Sequence, residues 1–161
     1  MSAAMPGDSV LESARYLVGE SLSDLRASLD GLPLAALNWR PADGVNSIAI
    51  LATHTVGATR LWLCMATGLP LPERDRDSEF QASADDADEF RGFVHSASID
   101  CVEALKPADQ VDWSTPRLTQ GRGGDAPPEV AAAYALIHAT EHLRGHVDQI
   151  SLMRQIWEGR A

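Results

Sequence analysis

Proline and glycine cut this chain into four long stretches with apolar residues at helical spacing, and no stretch alternates with the period of two that a strand needs. Residues 9–29 (SVLESARYLVGESLSDLRASL) set Val10, Leu11, Ala14, Leu17, Val18, Leu22, Leu25 and Leu29 along one stripe, with Asp8 or Ser9 as cap and Gly31-Leu32-Pro33 as the stop. Residues 33–46 hold Pro33, Pro41 and Gly44 and read as a connector with one short turn over 34–37. A second helix starts near Ser47, capped by Asn46 or Ser47, and ends at Gly68-Leu69-Pro70. Residues 69–82 read as loop. A third helix begins between Ala84 and Asp86 and reaches about Leu105, ahead of Pro107. The stretch 113–126 is rich in turn residues, and a fourth helix opens at Pro127-Pro128 and runs to about Trp157. With no strand pattern, repeat or low-complexity tract, this predicts an all-α protein, a four-helix bundle forming a single domain over residues 1–161.

Charge narrows the partners. Thirteen basic residues stand against 23 acidic ones, a net charge of -10 that repels a phosphate backbone and argues against nucleic acid. No uninterrupted apolar run approaches the roughly 20 residues of a membrane span, and the first residues lack the basic start and apolar stretch of a signal peptide. Cys64 and Cys101 form no CxxC pair and fit reduced thiols, so the expected setting is cytoplasmic and the expected partner a small molecule.

Chemistry concentrates in the fourth helix. Of five histidines in the chain, His138, His142 and His146 follow one another at steps of four in HATEHLRGH. On a helical wheel Ala135, Ala139, Ile150, Met153 and Trp157 fall within about 40° of His146; His142 sits about 40° away and His138 about 80°. Glu141, Arg144, Asp148 and Gln155 point the other way, as a solvated face does. Two imidazoles four residues apart can converge on one ion, whereas His138 and His146 are separated by about 12 Å of helix and cannot share it comfortably. His142 belongs to either pair. His54, in the second helix, shares its face with Ile50, Leu51, Ala58, Leu61 and Met65 and is the candidate third ligand. A lone buried histidine is most simply a ring bonded to a backbone carbonyl. Three on the core faces of two helices point to a shared metal, because one ion satisfies all of them.

Competing motifs do not fit. EHLRGH lacks the Glu that directly follows the first His of a zincin, and no Glu-x-x-His supports a ferritin-like di-iron site. Gly121, Gly123 and Gly124 lack the Lys-Ser/Thr of a phosphate loop and read as a connector that could form part of a mouth before the last helix. Asp85, Asp86, Asp88 and Glu89 suit a helix start better than a calcium loop. The serines sit in no nucleophile elbow, and Cys64 lies too far along its helix from His54 to ligate with it.

Two stretches carry a family likeness. LNWRPADGVNSIAILATHTVGATRLWL (37–63) and IHATEHLRGHVDQISLMRQIW (137–157) resemble the first half and the last helix of the DinB-like (YfiT-like) metalloenzymes. There an Arg-Pro and an Asn-Ser precede the helix bearing the first metal-binding His, and a His-x-x-x-His pair precedes an Arg-Gln ending. Matching outward from Arg154-Gln155 puts that pair on His142 and His146, leaving His138 extra. The resemblance implies a four-helix bundle, a divalent metal (zinc or nickel) on His54, His142 and His146, and a homodimer. Some members depend on a low-molecular-weight thiol, as bacillithiol transferases and the mycothiol-dependent maleylpyruvate isomerase do.

Three neutral imidazoles leave the ion its full charge and at least one open position. Such an ion activates water for hydrolysis or holds a cofactor thiol for transfer or isomerisation. The residues do not choose between these, and none of them marks a general base. A non-catalytic metal-binding or stress-associated module is the alternative of a different class.

Overall fold

The first turn of α1 (Val10–Leu29) is closed by Ser9, whose side chain accepts from the Glu12 amide. In this computed structural model, which describes residues 9–119 and 127–160, α2 (Leu34–Asn38), α3 (Ile48–Thr67), α4 (Arg76–Glu79), α5 (Ala87–Glu103) and α6 (Ala132–Glu158) follow. A 3-10 turn occupies Lys106–Gln110, and two short strands, β1 (Pro116–Leu118) and β2 (Glu129–Ala131), precede α6. The protein is all-α. Its four long helices pack in the cyclic order α1, α6, α3, α5, each on two neighbours, with the largest interface between α3 and α6.

Caps explain where the helices begin. Ser47 accepts from the Ile50 amide at α3, and Asp86 accepts from the Asp88 and Glu89 amides at α5, so the acidic run there is a helix start. Gly68 ends α3 in the left-handed region (φ 76), letting the Leu69 amide reach the Cys64 carbonyl.

α3 lies at the centre and buries every residue except Thr53, Gly57 and Arg60, which form its one outward face. By length and composition it could cross a bilayer, yet 83% of its most apolar window is buried inside the protein, as suits a core helix. Leu51, Leu63, Leu143 and Ile150 are among its fully enclosed neighbours and members, each worth about 1.5–3 kcal/mol of burial. Cys64 and Cys101 are free and buried; burial raises both thiols, Cys101 to about 12, so neither offers a thiolate.

Two segments differ from the sequence reading. The expected loop over 69–82 contains α4, whose first turn is held by Asp75 accepting from the Asp77 and Ser78 amides. The expected helix start at Pro127-Pro128 is instead the lead into a hairpin, with Pro116 opposite Ala131 and Leu118 opposite Glu129. α6 has no side-chain cap; the Ala132 and Ala133 amides donate to the carbonyls of Thr115 (2.9 Å) and Trp113 (2.9 Å). The partners for the orphan donors of the first turn sit there, so the helix begins there. Strands of three residues are too short to show alternation. The Gly121, Gly123 and Gly124 cluster lies outside the described residues.

Candidate metal centre

α3 presents His54 toward α6, and α6 presents His142 and His146 back toward it. The buried residues of α6 (Ala132, Ala135, Leu136, Ala139, Leu143, Val147, Ile150 and Met153) centre roughly 40° around the helix from His146. The wheel had set both histidines within the core stripe; they lie on its edge, because Leu136, Leu143 and Val147 widen the buried face on one side only. His142 and His146 are therefore half-buried, while His54 is 7% exposed.

The three rings converge. His54 Nε2 lies 3.4 Å from His142 Nε2. The His142 and His146 rings meet edge to face with centroids 4.5 Å apart, and His54 and His146 do so at 5.2 Å. One ligand atom from each histidine lies within 4.8 Å of the others. An ion with metal–nitrogen distances of about 2.0–2.1 Å, bound tetrahedrally, places its ligand atoms about 3.3 Å apart. The His54–His142 pair already has that separation, and His146 needs only a small ring movement. Among the described residues this converging group contains three histidines and no carboxylate or thiolate, so a bound ion would keep an open position on the half-exposed side.

The surroundings keep the rings neutral. Burial, aided by repulsion from His146, His54, His138 and Arg74, pushes the His142 imidazole down to about 3. Burial also lowers His146, against a hydrogen bond to Gln149 that raises it. Neutral rings in contact are what a metal requires of its ligands. The His146 Nδ1 bonds Gln149 Oε1 at 3.1 Å, which leaves Nε2 for the centre. The His142 Nε2 faces His54, while its Nδ1 is buried without a hydrogen-bond partner among the described residues.

His138 is placed elsewhere. It packs edge-on against Trp62 (4.4 Å between centroids) and parallel to Tyr134 (5.8 Å, 5° between planes), outside the converging group.

Three neighbours escaped the sequence reading. Glu79, 7% exposed, accepts from His54 Nδ1 at 3.1 Å, and Arg74 donates from Nε to Oε1 (2.6 Å) and from Nη2 to Oε2 (2.7 Å) of the same carboxylate. Burial alone would raise the Glu79 carboxyl; the bonds from His54 and Arg74 outweigh it and hold it below its ordinary range. Gln149 is the third. Asp75, which caps the Asp77 and Ser78 amides, was a signal for the short helix inside the stretch read as loop, though not for the burial of Glu79.

Residues 18–150 match the family model of the DinB superfamily. Among solved structures, the chain is similar to a conserved protein from Enterococcus faecalis, at 15% identity and a TM-score of 0.69, over 98% of this chain and 100% of that one. It is also similar to a DinB-like protein from Bacillus cereus, at 20% identity and a TM-score of 0.65, over 86% of each chain. At such identities the likeness concerns the fold.

Proposed function

The chain belongs to the DinB superfamily, and we propose that it binds one divalent metal ion, zinc or nickel, through His54, His142 and His146 and presents the ion's open position to a small-molecule substrate. The observation that carries this reading is the convergence of three imidazole nitrogens within 4.8 Å, two of the rings being half-exposed. Of the two chemistries open to such a centre, transfer or isomerisation with a low-molecular-weight thiol is the one we favour over hydrolysis by a metal-bound hydroxide. The ion would supply Lewis acidity, lowering the pKa of bound water or holding a thiol as thiolate. The protein's own part is to keep His142 neutral by burial, to aim His146 through Gln149, and to leave one side of the centre to solvent. The proposal includes a homodimer in the cytoplasm, with no nucleic-acid or membrane partner; the charge of -10 opposes a phosphate backbone.

Metal analysis of purified protein, followed by a transfer screen with bacillithiol, mycothiol and glutathione, tests this. The expected result is one divalent ion per chain and thiol-dependent turnover by the metal form alone. Protein that takes up no divalent ion contradicts the metal reading. A metal form that turns over no thiol and no hydrolysable substrate supports a non-catalytic module instead.

A further inference from the structure

We propose that Glu79 is a positioning residue for the metal centre: clamped by Arg74 and admitted by Gly57, it holds the proton of His54 on Nδ1 and so turns an unprotonated Nε2 toward His142 and His146. The inference rests on the metal reading above, and its test separates the two.

The carboxylate is fixed before it meets His54. Arg74 Nε and Nη2 donate to its two oxygens at 2.6 and 2.7 Å, a bidentate fork that sets the plane of the group. Its Oε2 then faces His54 Nδ1 at 3.1 Å. Without a proton on Nδ1, two lone pairs would oppose each other at that distance inside a buried site. Arg74 Nη2, 3.2 Å from Nδ1, is the competing donor, with a second N–H besides the one on Oε2; donating it to an unprotonated Nδ1 would still leave the ring lone pair opposed to the carboxylate. The Nδ1–H tautomer is the one that pairs His54 with the buried carboxylate, and it frees Nε2 as a ligand. A carboxylate behind a histidine fixes ring and tautomer in this way in metal proteins generally.

Gly57 makes the approach possible. It lies on the outward face of α3, one turn beyond His54, in a helix interior where glycine costs about 1 kcal/mol relative to alanine. A Cβ there would stand 2.5 Å from Glu79 Oε1 and 3.4 Å from Arg74 Nε. The space above this glycine is occupied by the clamped carboxylate.

Glu79→Gln is the decisive variant, because it keeps size and shape. Both carboxylate oxygens face donors of Arg74, so the amide cannot accept on both sides. With its oxygen toward Arg74 Nε, its NH2 faces both Arg74 Nη2 and His54 Nδ1; with its oxygen toward His54, its NH2 opposes Arg74 Nε, so the amide no longer enforces one tautomer on the ring. Long-range proton–nitrogen correlation spectra of metal-free protein, at a pH well above the ordinary imidazole range of about 6.5, read this directly. The wild type should show His54 protonated on Nδ1 alone, and Glu79→Gln should lose that exclusive tautomer. Zinc affinity, measured by chelator competition, should fall about 10–100-fold in Glu79→Gln. Gly57→Ala should fold, gain helix propensity, and lose affinity in the same direction. Wild-type His54 protonated on Nε2, or wild-type zinc affinity in Glu79→Gln, overturns the assignment of Glu79. Wild-type affinity in Gly57→Ala overturns that of Gly57. Failure of the wild type to bind zinc, with the Nδ1 tautomer in place, strikes the metal reading and not the tautomer.

Discussion

His54 and His142 come within 3.4 Å of each other from helices far apart in sequence, and that contact was legible because each is a polar ring on an otherwise apolar helix face. The i, i+4 repeat on α6 left two possible pairs; the structure brings His142 and His146 to His54, and packs His138 parallel to Tyr134 and edge-on against Trp62. Glu79 and Arg74 were not legible. Charged residues in a polar stretch carry no periodicity, and nothing in one sequence says that a carboxylate 25 positions from His54 will be buried against it. Alanine at His54, His142 or His146 should each remove most bound metal, since each takes one of three ligands. His138→Ala should retain it and lose only aromatic packing. Metal content after dialysis against limiting zinc checks this; loss of metal in His138→Ala with retention in His146→Ala would shift the ligand pair by one turn.

Three of the long helices, α1, α3 and α5, were read to within a few residues, because apolar period and caps agree at Ser9, Ser47, Asp86 and Gly68. The misread segments are those whose structure comes from tertiary partners. The hairpin forms because residues 113–118 return beside 129–133, and α6 starts where the Trp113 and Thr115 carbonyls receive its first amides. α4 is a single turn that one aspartate can nucleate. At the end of α3, Gly68 holds φ 76, and a Cβ there would stand 2.9 Å from Arg117 Nη2. Gly68→Ala should lower stability by roughly 1–2 kcal/mol, from the left-handed backbone alone. Urea denaturation should show a lower midpoint with an unchanged slope; an unchanged midpoint would mean the α3 end rearranges freely.

For the whole molecule, the apolar core of the bundle is built of side chains that need no ion, so metal-free protein should stay helical and melt at a lower temperature than the metal form. Acid should act on it through His142. That imidazole is held near 3 in the folded state against about 6.5 unfolded, so on acidification the unfolded chain takes up the proton first. Metal-free stability should thus be level above about pH 6.5 and fall progressively below it, with a shallower fall in His142→Ala. Thermal melts across that range check the sign, and equal slopes in the two proteins would contradict it. The central claim is a three-histidine metal centre with an open position, and it is tested most directly by replacing the metal with cobalt. The account predicts the visible absorption of a four-coordinate ion, together with a new sulfur-to-metal band when a thiol is titrated in. A spectrum that responds to no thiol, anion or change of pH would mean a closed centre and contradict it.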